Sequence, residues 1–260
     1  MNTFILRKLL QISKSLNVFS HFGKYLILLR DSIRRPENVR MYLRELFKEM
    51  KKIGIGSLGI VVLISVFLGM VTTLQTAYQL IVAWIPASVI GEIVTETSML
   101  ELAPTITSLV LAGRVGSSLA SELGTMRVKE QIDALDVMGV NSAAFLVFPK
   151  ILASIIVIPM LIIIATFLMI VSGAFIGNNT GIVPINQFVE GALDIFKVKV
   201  FMISMAKAYT FAFMISSISS YQGYYSKGGA TGVGKSSTKA VVWSCVLILF
   251  SDYLIAQLFL

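Results

Sequence analysis

One cysteine and one histidine are all that 260 residues hold of the two side chains most used for metal binding and nucleophilic chemistry. Cys245 lies alone in an apolar run, which excludes an internal disulfide and leaves no thiolate cluster for a metal. His21 lies in a basic N-terminal segment, so no Ser–His or Cys–His pair falls within the apolar body, and there is no H-E-x-x-H. Charge is scarce too: 14% of residues are Asp, Glu, Lys or Arg, against about 25% in a soluble domain. In their place, 56% of residues are apolar, and mean hydropathy is +0.83. Residues 54–91 and 151–189 carry no charge at all. Runs beyond about 18 such residues read as membrane-crossing helices. The sequence therefore predicts an all-α, polytopic membrane protein with one domain over residues 1–260.

The net charge of +8 is concentrated at the start. Residues 1–52 hold twelve Lys and Arg against Asp31, Glu37, Glu45 and Glu49, and the rest of the chain is balanced. A basic segment ahead of a membrane span suits an anionic cytoplasmic leaflet. No aromatic or glycine-rich nucleic-acid motif accompanies it, so a nucleic-acid partner is not expected. Ile5, Leu9, Ile12, Leu16 and Phe19 recur every three or four residues, with Arg7, Lys8 and Lys14 off that stripe. This pattern predicts an amphipathic helix lying in the interface, and the broken apolar run excludes a cleavable signal peptide.

Five apolar stretches follow, at about 53–80, 100–123, 151–176, 198–220 and 239–260. Lys and Arg in the loops alternate. There are none in 81–99, then Arg127, Lys129 and Lys150, none in 177–196, then Lys227, Lys235 and Lys239. The positive-inside rule then places the N-terminus in the cytoplasm and the C-terminus outside. Lys197 and Lys199 oppose the rule at the outer end of the fourth stretch, where they suit acidic headgroups.

"GGATGVGKSS", residues 228–237, fits the phosphate-loop pattern G-x-x-x-x-G-K-[ST] through Gly229, Gly234, Lys235 and Ser236. A phosphate loop needs a buried parallel strand before it and an α/β sheet around it. Here "SSISSYQGYYSK" precedes it and an apolar helix ends the chain. The string reads as a glycine-rich cytoplasmic turn leading into a helix, and no cofactor is expected in this chain.

The informative stretch is "ELAPTITSLVLAGRVGSSLASELGTMRVKEQIDALDVMG", residues 101–139. Ala112, Gly116, Ala120 and Gly124 form a small-xxx-small ladder, with Gly113, Ser117 and Ser121 as a second ridge. Such ladders let membrane helices approach closely, within a subunit or between two. From about 125 to 138 the chain reads as a short amphipathic helix in a cytoplasmic loop. Val128, Ile132, Leu135 and Met138 line one face, while Lys129, Glu130, Asp133 and Asp136 stay polar. Mixed charge disfavours an anionic bilayer and favours a groove on a cytoplasmic protein. Glu101, Arg114, Lys207 and Asp252 are ionisable residues inside apolar stretches. Each is either a member of a structural ion pair or a functional group.

These residues resemble the MlaE-type permeases, the membrane subunits of lipid-transporting ABC systems associated with MCE-domain proteins. "ELAP", "LAGRVGSSLASELGTM", "KEQIDALDVMG", "FPKILA" and "GATGVGKSSTKAVV" carry the resemblance in order along nearly the whole chain. Ala103 stands where glycine is expected, and Lys150 where arginine is usual. The resemblance implies a homodimer in the bacterial inner membrane, with a cytoplasmic ATPase that holds the ATP and magnesium. It also implies an external MCE partner and phospholipid as cargo. The helix around Glu130 and Gln131, with Lys129, Asp133 and Asp136, would dock on the ATPase. The competing classes are an ion- or proton-coupled transporter, suggested by the buried charges, and a membrane-embedded enzyme. No inverted repeat supports the first, and no catalytic pair supports the second.

Overall fold

The computed structural model describes residues 20–33, 39–80 and 86–259, and within these every regular element is a helix. The expected interfacial helix over Ile5 to Phe19 lies outside the described residues. Helix α1 covers residues 20–32 and α2 runs Val39–Gln79. A composite rod follows: α3 (Ser88–Thr97), a π segment (Ser98–Ile106), α4 (Thr107–Leu111), a second π segment (Ala112–Gly116) and α5 (Ser117–Val128). Then come α6 (Gln131–Val137), α7 (Ser142–Asn179), α8 (Ile185–Ile195), α9 (Val198–Tyr224) and α10 (Gly229–Phe259).

Among the described residues, four helices are long and apolar enough to cross a membrane: Tyr42–Gln79 of α2, and α7, α9 and α10. They run well past the apolar stretches that announce them. Helix α2 starts before Lys51-Lys52, so the basic pair lies within a helix and does not precede it. Helix α7 starts at Ser142, which puts Lys150 on a buried helical turn although the sequence places it in a loop. Helix α10 starts at Gly229, so Lys235 and Lys239 are helical as well.

Small residues decide how the long helices meet. A Cβ on Gly69 of α2 would stand 2.1 Å from the Met169 carbonyl oxygen of α7, and one on Gly173 would stand 2.4 Å from Thr73 Oγ1. With Gly54 against Val157, these contacts advance together along both chains, so α2 and α7 lie parallel. The composite rod faces α9 in the same way. Gly116 meets Ser219, and a Cβ on Gly223 would reach 2.7 Å from the Ala120 carbonyl oxygen. The ladder Ala112, Gly116, Ala120 and Gly124 is thus buried against α9 and α10 of the same chain. The second ridge faces the other way, and Gly113 has open space at its Cβ position.

Three apolar clusters stack along the bundle. The central one joins α2, the rod, α7, α9 and α10 through residues such as Leu111, Ile158, Met169 and Phe211. One end is closed by Leu28, Leu123, Ile132, Val147 and Tyr221. The opposite end is closed by Ile90, Val94, Val183 and Phe188, where α3 and α8 cross so tightly that a Cβ on Gly191 would stand 1.9 Å from the Ser88 carbonyl oxygen.

Candidate functional site

Of the ionisable residues of the composite rod, Glu101 and Arg114 fall in its π segments. Pro104 lacks an N–H, so it cannot complete an α-helical ladder, and the Ser98–Ile106 segment that holds Glu101 widens around it. Arg114 lies in the second such segment, Ala112–Gly116. Single π turns inside α-helices are rare and concentrate at functional places.

Glu101 and Asp252 both meet Lys207. Lys207 on α9 donates to Glu101 Oε1 at 2.8 Å and to the Leu100 carbonyl oxygen at 2.9 Å, and its Nζ stands 2.7 Å from Asp252 Oδ1 on α10. Thr105 donates to Asp252 Oδ2 at 2.9 Å. The Lys207 side chain is 1% exposed and that of Asp252 14%, while Glu101 is 46% exposed. Three chain segments are thereby tied at one depth, with two carboxylates on one ammonium and a single carboxylate open to the surroundings. Asp252 is the third arm of this triad.

Arg114 stands apart from the triad. Its guanidinium donates to Ser57 Oγ of α2 at 2.8 Å, and a Cβ on Gly56 would lie 3.1 Å from both of its terminal nitrogens. Nearer the α6 end lies a network that the sequence did not reveal. Lys150 of α7 is ion-paired to Glu49 of α2, and at 2.9 Å to Glu122 Oε1 of α5. Lys52 pairs with the second oxygen of Glu122. The Lys150 and Glu49 side chains are 4% and 2% exposed. Glu49 and Lys52 sit among other charges in the sequence and Lys150 at a loop edge, so none contrasts with its surroundings. Glu122 is the one acid in the ladder segment 112–124, a contrast that could have found it.

At that same end the short amphipathic helix expected over about 125–138 is split between the last turn of α5 and α6. The chain breaks at Lys129-Glu130, where Glu130 takes φ +58, and restarts as α6. A non-glycine residue in the left-handed region is uncommon and marks an enforced turn. Arg127 Nη1 spans the turn to Asp133 Oδ1 at 2.7 Å. Ile132 is fully buried and anchors α6 against the bundle, with Leu135 partly buried beside it. Val128 and Met138, expected on the same apolar face, are exposed, and Val137 is 88% exposed. Lys129, Glu130, Gln131 and Asp136 surround them in the open. The result is a projecting knob with an anchored root and an uncovered apolar tip.

Helix α1 braces this end. His21 Nδ1 lies 2.7 Å from Tyr221 Oη, Tyr25 donates to Ser217 Oγ at 2.9 Å, and Asn141, which caps α7, donates to the Asp31 carbonyl oxygen at 3.0 Å.

Residues 46–258 match the family described as Permease MlaE. The chain belongs to the MlaE permease family. It is 37% identical to a probable ABC transporter permease protein of Rickettsia bellii, over 97% of this chain and 95% of that one. It is 34% identical to the chloroplastic protein TRIGALACTOSYLDIACYLGLYCEROL 1 of Arabidopsis thaliana, over 85% of this chain and 63% of that one. A probable ABC transporter permease protein of Pyropia yezoensis is 32% identical over 85% of this chain. The MlaE match takes in both charge clusters, both π segments and the α6 knob. The protein is a multi-pass transport permease.

Proposed function

We propose that this permease is the membrane subunit of an ABC transporter for phospholipid, and that α6 is where a cytoplasmic ATPase docks. The α6 knob carries the reading. Ile132 roots it in the bundle while Val137 and Met138 project uncovered, an arrangement suited to a groove on a partner. Exposed apolar tips flanked by Lys129, Glu130, Gln131 and Asp136 fit a protein receptor better than lipid. In this reading the composite rod Ser88–Val128 is the second of five crossings. It lies antiparallel to α2, since Ser57 meets Arg114 while Lys52, further back on α2, meets Glu122, further on along the rod. The α6 end is then cytoplasmic, the α3–α8 end external, and the C-terminus external in a bacterial inner membrane.

ATP and magnesium belong to the partner chain. The string 228–237 spans the start of α10 with no strand beside it among the described residues, which supports that reading, since a phosphate loop follows a buried parallel strand. Lipid as cargo follows from the family resemblance, and the Arabidopsis relative bears the name of a galactolipid. The triad of Glu101, Lys207 and Asp252 provides charged and polar groups for a headgroup inside the bundle. The open ridge of Gly113, Ser117 and Ser121 suits the contact between two copies in a homodimer. An MCE-domain protein completes the path outside.

The test is purification of the full chain from its own membranes in mild detergent. An ATPase should co-purify with the wild type and be lost from the Val137→Asp, Met138→Asp double variant, with the permease still folded. Retention of the ATPase by that variant would remove α6 as the docking element.

A further inference from the structure

The charge network at the α6 end does not balance. Arg114, Lys52 and Lys150 face Glu49 and Glu122, a surplus of one positive charge. Arg114 is the group left over, with one hydrogen bond, to Ser57, and no carboxylate within salt-bridge distance among the described residues. Arg114 is exposed on the surface of this chain, and an uncompensated guanidinium on a membrane-protein rod is expensive and marks a functional place. Beside it Glu49 Oε2 is buried and has no hydrogen-bond partner. Both groups line one cavity of about 230 Å³ between α2 and the rod, with Lys52 and Ser57 on its polar side and Ile53 and Leu119 on its apolar side.

We propose that this cavity is a headgroup subsite for a phospholipid. Its phosphate sits on Arg114 and Ser57, and its terminal donor, an ammonium or a hydroxyl, meets Glu49 Oε2. The proposal rests on the lipid reading above and places a second lipid contact far from the Glu101 triad. A guanidinium presents a planar fork that matches two phosphate oxygens. Gly56 leaves that fork flat against α2, since a Cβ there would stand 3.1 Å from both nitrogens. The volume lies below the about 300–1,000 Å³ of pockets that enclose a whole drug-sized ligand, so the cavity takes a headgroup and leaves the acyl chains outside. Arg114 lies roughly 12 Å along the rod from Glu122, at 1.5 Å per residue, so the headgroup is drawn inward from the bundle end. A second copy of the chain carries the same positive surplus, whereas a phosphate neutralises it.

The test measures radiolabelled lipid retained per chain by the purified full-length permease in detergent, without any ATPase. Phosphatidylethanolamine and phosphatidylglycerol, which carry terminal donors, should be retained over phosphatidylcholine, which has none. Arg114→Gln should lower retention about tenfold, the worth of a charge-assisted hydrogen bond, and Arg114→Lys should restore part of it. Gly56→Ala keeps Arg114 and the fold but crowds its guanidinium, so it should also lower retention. Equal retention by wild type and both Arg114→Gln and Gly56→Ala overturns the proposal. So does Arg114-dependent binding of inorganic phosphate with no lipid retained, which would make the ligand free phosphate. A change from dimer to monomer on sedimentation of Arg114→Gln, with retention per chain unchanged, would make the cavity a subunit contact and also overturn it. Loss of ATP-driven lipid movement with retention intact would fell the transport reading and leave this subsite standing.

Discussion

Lys207 holds two carboxylates, so removing it has a different cost from removing either of them. Lys207→Met leaves Glu101 and Asp252 facing each other within the bundle, and breaking a buried ion pair from one side costs about 3–5 kcal/mol. Denaturant unfolding in detergent should show a loss of that order. The neutral triple variant Glu101→Gln, Lys207→Met, Asp252→Asn should recover most of it, because no charge remains uncompensated. If the triad only stitches helices together, lipid transport recovers with stability; if it handles lipid, the triple variant folds and still carries less. A charge inside an apolar stretch is conspicuous, and all three residues were legible in the sequence for that reason. That they form one triad was not legible, because sequence spacing says nothing of which helices are neighbours. Glu49 and Lys150 were missed for the opposite reason. Each stands among or beside other charges, and only the fold buries it.

At the scale of elements, glycines separate helix starts and crossings from decoration. A Cβ on Gly232 would lie 1.8 Å from the Lys227 carbonyl oxygen, while one on Gly234 meets nothing within 4 Å. Gly232→Ala should therefore destabilise by about 1–3 kcal/mol through overpacking. Gly234→Ala, in the same string, should be neutral or stabilising by about 0.4–1 kcal/mol through the unfolded state. Thermal unfolding in detergent distinguishes the two, and a phosphate loop would show the reverse sensitivity in nucleotide binding. Lys235→Ala should change no ATP affinity of the isolated chain. At the α3–α8 crossing, Gly191→Ala should lower stability by a similar 1–3 kcal/mol and speed hydrogen exchange in α8, since the methyl would meet the Ser88 backbone. The long helices were plain from hydropathy. Their ends were not, because polar and basic turns at Lys51-Lys52, Lys150 and Lys235 continue a helix that apolar counting stops. The π segments left one visible cause, Pro104, and no pattern in the sequence marked the second. The break at Glu130 was hidden because its left-handed backbone is imposed by Arg127, Ile132 and the packing of α6, not by a glycine.

Over the whole molecule, the helices form a bundle closed at one end by the α3–α8 crossing and at the other by α1, α6 and the Glu49–Lys150–Glu122–Lys52 network. Such an arrangement links the triad to the α6 knob through packed helices only, with the rod as the shared member. Glu101 in one π segment and Arg114 in the other are joined by the five residues of α4, so a small displacement of α6 has a short rigid path to both. The proposed function needs that linkage between the α6 knob and the triad. Its most direct measurement reconstitutes the chain with its co-purifying ATPase in vesicles holding a fluorescent phospholipid, and follows lipid movement on addition of ATP. The account predicts ATP-dependent movement that vanishes in Val137→Asp, Met138→Asp, while a pH or sodium gradient without ATP drives none. Movement of the lipid or of an ion by the lone chain under such a gradient, unchanged by the α6 substitutions, would contradict it and make this permease a secondary transporter.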